Sequence, residues 1–159
     1  MTAFEEIYIK YSPQIYRVCM GYMNDQDLAK DLTQDTFVSV WRNLSSFRNQ
    51  SKISTWIFRI ATNNCLRAIE RAKKMDSIDS DFEIPDIPEE SIEGKLKYLY
   101  SCIAELEEIE RIIISLFLED LPQAEIAEIL GLSYGNVRIK IHRIKEKLAI
   151  KFKRYGQFE

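Results

Sequence analysis

The sequence predicts an all-α protein: two small helical domains joined by a flexible acidic linker, the C-terminal one a helix-turn-helix. Three observations predict it. Apolar residues recur at helical spacing from Phe4 to about Lys74 with no alternating strand pattern. The stretch "MDSIDSDFEIPDIPEESIEG" then carries prolines and many acids with little to pack. Finally, "AEIAEILGLSYGNVRIKIHRIKEKL", residues 124–148, places a glycine turn between two amphipathic segments. The expected divisions are 1–74, a linker at 75–93, and 94–159.

In the first domain "FEEIYIKYSPQIYRVCMGYM" reads as a helix that Pro13 interrupts or begins. "DQDLAKDLTQDTFVSVWRNL" follows, capped by Asp25 or Asp27, with Leu28, Leu32 and Val40 assigned to the core. "SSFRNQSKIS" is polar and rich in serine and asparagine, as expected of a loop. A third helix, "STWIFRIATNNCLRAIERAKK", takes Ser54 or Thr55 as its cap. Its Ile57, Ala61, Cys65 and Ile69 face the core, and Arg59, Asn63, Arg67 and Arg71 form one basic stripe.

After the linker, "KLKYLYSCIAELEEIERIIISLFLEDL" is helical with a break near Glu107. In the helix-turn-helix, Ala127 is small where the second helix crosses, Gly131 permits a positive-φ turn, and Val137 plugs the angle between the helices. Ile126, Leu130, Leu132 and Ile141 frame them, and Ser133 precedes the second helix as a cap. A plain helical hairpin needs the same turn, so the outer face discriminates. Asn136, Arg138, Ile139, Lys140, His142, Arg143, Lys145 and Lys147 are nearly all cations or hydrogen-bonding groups, broken only by Glu146. Such a face offers donors to base edges and phosphates.

Charge and composition narrow the function. The net charge of −3 conceals a basic first block (11 Lys and Arg against 7 Asp and Glu over 1–74), an acidic middle (2 against 12 over 75–110) and a basic end (9 against 6 over 111–159). A phosphate backbone senses charge over a Debye length of roughly 8–10 Å, so local blocks count and the average does not. Three separated cysteines, Cys19, Cys65 and Cys102, and a single histidine, His142, offer no metal cluster, so metal and cofactor are expected to be absent. Glycines at 21, 94, 131, 135 and 156 make no phosphate-cradling loop, and the protein is not expected to be an enzyme. No apolar run suits a membrane span or a signal peptide, so a cytoplasmic protein without membrane insertion is expected.

With these motifs in hand, the chain resembles an extracytoplasmic function sigma factor, the two-domain class of bacterial sigma factor in the sigma-70 superfamily. "DLTQDTFVSVWRNLSSFR" is similar to the family's core-polymerase-binding region, "STWIFRIATNNCLRAIER" to its −10 recognition region, and "LPQAEIAEILGLSYGNVRIKIHRIKEKL" to its −35 helix-turn-helix. The resemblance implies docking on the β′ clamp and β flap of core RNA polymerase. Asp31, Gln34, Asp35, Phe37 and Trp41 would carry it, with Trp41 or Phe37 as the anchor unless they belong to the core. It implies that a −10 base is held by Arg48, Asn49, Gln50 and Lys52 of the loop beside Arg59, Asn63, Arg67 and Arg71. Trp56 is either a stacking wedge or a packing residue, the latter preferred.

For the −35 element the resemblance points to Arg138, Ile139, His142 and Arg143, with Ser133, Asn136 and Lys140 nearby. An arginine bidentate to guanine gives about 1–3 kcal/mol of discrimination. Ile139 stands where the family commonly has a small hydroxyl residue, and it suits a thymine methyl. Tyr134 replaces a residue usually small or acidic. An anti-sigma factor is the further partner implied, with the free protein a monomer. The alternative function is a dimeric helix-turn-helix repressor or activator, which calls for a dimerisation seam and a ligand pocket that the sequence does not display.

Overall fold

In the computed structural model, which describes residues 1–74 and 91–156, every regular element is a helix. The acidic stretch 75–90 lies outside the described residues, so the expected linker is described only at its end. There Ser91 accepts from the Gly94 amide at 2.9 Å and caps a helix starting at Ile92, two residues inside the expected linker.

Helix α1, Ala3–Met23, opens with a capping box: the Glu5 amide donates to Thr2 Oγ1 and the Thr2 amide to Glu5 Oε2. It runs through Pro13, contrary to the expected interruption. The proline is exposed on a helix whose other face is fixed by Tyr11, Ile15, Val18, Cys19 and Tyr22, so tertiary packing outweighs the lost amide. Asn24, in the left-handed region at φ 49°, ends α1. Asp25, rather than Asp27, caps α2, Gln26–Asn43, by accepting from the Leu28 amide at 3.0 Å.

A 3-10 turn at Leu44–Ser46 and the loop to Lys52 lead into α3, Ile53–Lys74. Because α3 already begins at Ile53, Ser54 and Thr55 sit inside its first turn and neither is its cap. Their hydroxyls donate instead to Glu125, some 70 residues away in the chain. Helices α1, α2 and α3 enclose Ile15, Val18, Phe37, Val40, Ile57, Phe58, Ala61 and Cys65. Leu28, expected in that core, is 43% exposed, since α2 turns Ala29 and Leu32 inward instead.

The remaining helices are α4, Ile92–Ala104; α5, Glu108–Phe117; α6, Gln123–Leu130; and α7, Tyr134–Gly156. The break near Glu107 is found, with Glu107 and Glu110 forming a reciprocal capping box at the start of α5. Helix α5 is the keystone. Ile112, Ile113, Ile114 and Leu116 are all buried because α5 packs against α6 and α7 on one side and α1 on the other. Its polar groups are spent on pairs, Glu108 with Lys73 and Glu110 with Lys147, while its apolar residues meet helices from both groups.

The two groups of helices therefore share one continuous core. A Cβ at Gly21 of α1 would collide with the Ser115 hydroxyl of α5, so only glycine permits this approach without displacement. Arg17 Nε and Nη2 donate to the two carboxylate oxygens of Glu119 at 2.6 and 2.8 Å, and Lys73 pairs with Glu108. Thus α1 and α3 are tied to α5 and the turn after it.

Candidate nucleic-acid interface

The helix-turn-helix is assembled from local chemistry. Gly131 ends α6 at φ 69°, and the Leu132 amide donates to the Ala127 carbonyl at 3.0 Å, closing the turn. Ser133 Oγ accepts from the Asn136 amide at 3.2 Å and so caps α7. Ala127, Val137 and Ile141 are buried between the helices, as the spacing predicts. That packing fixes which side of α7 faces outward.

Ser133, Asn136, Arg138, His142 and Arg143 are exposed, Ile139 is 53% exposed and Lys140 is half-buried. His142 Nε2 lies 3.1 Å from Glu146 Oε1 one turn on, which steadies the imidazole beside the cations. Lys147 is not part of the outward stripe in the same sense. Its ammonium donates to both oxygens of buried Glu110 at 3.0 and 2.9 Å. Burial raises the Glu110 carboxyl, but the Lys147 hydrogen bond and charge, with the Glu107 amide, outweigh it and hold the group below its ordinary value.

A second region lies between α2, the 47–52 loop and α3. Here a cavity of about 620 Å³ is lined by Arg48, Gln50, Trp56, Arg59, Asn63 and Arg67, all expected from the sequence. Ser39, Asn43, Phe47 and Asn64 line it as well and were not expected. Phe47 stacks on Trp56 with ring centroids 4.8 Å apart and 28° between planes. Trp56 thus packs and lines the cavity at once, so both of its expected roles are compatible. The signal for Phe47 was its apolar ring in an otherwise polar loop.

Asn49 takes a left-handed φ of 56°, which bends the loop at its tip. Asn49, Lys52 and Arg71 are exposed nearby in the chain but do not line the cavity. Arg59 reaches across to α6, where its Nη2 donates to the Glu128 carbonyl at 3.0 Å. Cavity and helix-turn-helix therefore meet at Glu128, which supplies part of the cavity wall.

A third region is the outer face of α2. Asp31, Gln34 and Asp35 are exposed and Trp41 is 65% exposed, so these four share an accessible surface. Phe37 does not join them: at 3% exposure it is a core residue, with its ring edge against Tyr8 at 5.0 Å. Its ring is covered by Tyr8 of α1, whereas Trp41, near the end of α2, stands in solvent, which corrects the expectation of Phe37 as an anchor. Leu28 and Val38 instead add exposed apolar surface to α2, and Tyr8 and Ile9 add it on α1. Among the described residues no group of three His, Cys, Asp or Glu side chains gathers to hold a metal, and no helix is long and apolar enough to cross a membrane.

Comparison with known proteins matches the chain to two family profiles, Sigma-70 region 2 over residues 7–75 and Sigma-70, region 4 over residues 96–148. The first covers the α2 face and the cavity, the second the helix-turn-helix. Among curated relatives, the ECF RNA polymerase sigma factor SigW of Bacillus subtilis is 29% identical, the alignment spanning 92% of this chain and 87% of the relative. The RNA polymerase sigma factor YlaC of the same organism is 30% identical over 92% of this chain and 90% of its own. In fold, the chain is similar to the sigma factor RpoE in complex with the anti-sigma factor NepR from Bartonella quintana. That match has a TM-score of 0.81 at 21% identity and covers 96% of this chain and 98% of that one. CnrH in complex with the cytosolic domain of CnrY gives a TM-score of 0.72 at 23% identity, covering 96% and 88%.

Proposed function

Since the chain belongs to the extracytoplasmic function family of RNA polymerase sigma factors, and is an alternative sigma factor directing transcription initiation, we propose how its surfaces divide that work. The observation that carries the proposal is the separation of three chemically distinct surfaces on one chain: an acidic and aromatic face on α2, a basic aromatic-lined cavity, and a basic recognition helix.

The face of Asp31, Gln34, Asp35 and Trp41 docks on core RNA polymerase, its partner in the cytoplasm. An exposed tryptophan rimmed by acids has the composition of an interface anchor, because it buries much area while the rim sets orientation. Promoter DNA is taken up by the other two surfaces. On α7, Arg138 and Arg143 read base edges in the major groove, Ile139 meets a thymine methyl, and Ser133, Asn136, Lys140 and His142 hold the flanking backbone.

The cavity takes one unstacked base of the −10 element. It is roomy enough to admit a nucleobase with its sugar, the Phe47 and Trp56 rings offer an apolar wall, and Gln50, Asn63 and Asn64 offer amide donors and acceptors to a Watson–Crick edge. Arg48 and Arg67, with Lys52, Asn49 and Arg71 outside, attract the strand that carries the base. Holding the base out of the stack lowers the cost of strand separation at that point. An anti-sigma factor, the partner seen with the structural neighbour RpoE, is a further expected ligand of this chain.

Run-off transcription tests the proposal. Core polymerase is supplied with a pool of promoter fragments, with and without this protein. Initiation at defined starts only when the protein is present is expected, together with co-migration of protein and core on a sizing column. Failure of both would remove the assignment of the α2 face.

A further inference from the structure

Resting on that reading of the cavity, we infer that Thr36, which does not line it, sets which base it accepts. Thr36 holds the Asn64 carboxamide with its oxygen turned to the cavity, so that a base bearing an exocyclic amino group is taken in preference to its carbonyl counterpart. A carboxamide in a binding wall is ambiguous, because half a turn exchanges donor and acceptor. At Asn64 the surrounding chemistry resolves it. Thr36 is fully buried, and its hydroxyl gives its one hydrogen to the Leu32 carbonyl at 2.7 Å, one turn back along α2. Its oxygen is then an acceptor only. The Asn64 atom 3.3 Å from it must be Nδ2, and Oδ1 is the end left for the cavity that Asn64 lines.

Asn43, at the end of α2, is fixed by the same logic. Its Nδ2 lies 2.8 Å from the Ser39 backbone carbonyl, which has no hydrogen to give, so Oδ1 is again the free end in the cavity wall. Among the described residues nothing donates to either oxygen. The remaining polar groups do not counter this bias. Gln50 and Asn63 are exposed, and either end of each carboxamide can meet a base. Arg59, a permanent donor, spends Nη2 on the Glu128 carbonyl at 3.0 Å.

The fixed part of the wall thus accepts hydrogen bonds, and an amino group on the pairing edge of a base satisfies it. Uracil in place of cytosine, or hypoxanthine in place of adenine, puts a carbonyl oxygen where that amino group was. Acceptor then faces acceptor, and both are left unpaired away from water, which is what makes such exclusion effective. Thymine is the DNA base without an amino group.

The test uses the full chain bound to bacterial core RNA polymerase. The probes are fluorescein-labelled decamers of abasic sugar-phosphate carrying one central base: cytosine, uracil, adenine, hypoxanthine or none. Affinity is read by anisotropy, with core polymerase alone as the reference. The wild type is expected to prefer cytosine over uracil and adenine over hypoxanthine by about three- to tenfold, the range of one hydrogen bond gained or lost. Thr36→Val keeps the shape of the buried side chain and removes the oxygen, so the Asn64 carboxamide is free to turn. Both ratios are expected to fall toward one while the mean affinity for the four bases is kept. Thr36→Ser retains the oxygen and is expected to retain the ratios. A purely structural role for Thr36 would shift all four affinities together. Asn64→Leu, at a half-buried position outside the core, is expected to lose the ratios as Thr36→Val does.

Equal affinities within each pair for the wild type, or wild-type ratios in both Thr36→Val and Asn64→Leu, overturn the inference. The cavity assignment is judged separately, by whether any base binds more tightly than none and whether Phe47→Ala, which removes part of the apolar wall, abolishes that gain. If it does, the cavity takes a base and only its selection by Thr36 is lost. If there is no gain, or the gain survives Phe47→Ala, the cavity assignment fails and the inference with it.

Discussion

At Trp41 a single side chain separates two roles that the sequence left open. Phe37 and Trp41 are both aromatic and one helical turn apart, and the periodicity of α2 alone does not say which faces α1. The structure does: Phe37 is packed against Tyr8 and Trp41 stands in solvent. Removing Trp41 therefore costs little internal packing, and Trp41→Ala is expected to keep its melting temperature within a few degrees while losing co-migration with core polymerase. A sizing column with the purified core decides it. Unfolding of the variant would place Trp41 in the core instead. Leu28 shows the same limit, since an apolar residue at a helical position was assigned inward and lies 43% exposed. Residue-scale facing depends on partners distant in sequence, which is why it was the least legible level.

Elements were more legible where their chemistry is local. The Gly131 turn, the Ser133 cap, the Glu107 break and the plugging role of Val137 were all visible in the sequence, because each depends on residues within a few positions. Pro13 and the Ser54–Thr55 pair were not, because packing on α1 and a carboxylate some 70 residues away decide them. For the cap, Ser133→Ala is expected to destabilise the protein by about 1 kcal/mol, measured by urea unfolding, with the first turn of α7 frayed. Any loss of −35 binding should exceed that of a distant surface substitution. The α5–α7 pair adds a pH prediction. Glu110 titrates below its ordinary value, so its pairing with Lys147 stabilises the fold fully above the usual carboxylate range and is lost as pH falls through the depressed value. Urea midpoints should decline below about pH 4, and Lys147→Met should make that decline shallower. An identical profile for the variant would deny the pair its role.

Across the whole molecule, the run "RIIISLFL" carried information that its periodicity concealed. Ile112, Ile113, Ile114 and Leu116 spread over more than one side of α5 and all four are buried, so the helix packs on α1 as well as on α6 and α7. The chain packs around α5, and one cluster of buried residues runs through both groups of helices. Hydrogen exchange is expected to find α5 amides protected as long as the most stable amides of α3, since exposing them requires disrupting both groups of helices. Rapid exchange along the α1-facing side of α5 would show that the packing of α1 on α5 is a minor population. The all-α class, the helix-turn-helix and the basic cavity loop were legible in the sequence, whereas the seam joining them depends on contacts that no local pattern encodes.

The close approach at Gly21 has an evolutionary consequence. One added methyl group there strains the seam through Ser115, away from the cavity and the helix-turn-helix. A lineage can therefore change how firmly the two groups of helices hold each other by exchanging residue 21 or its neighbour at 115, while the residues of the helix-turn-helix are inherited intact.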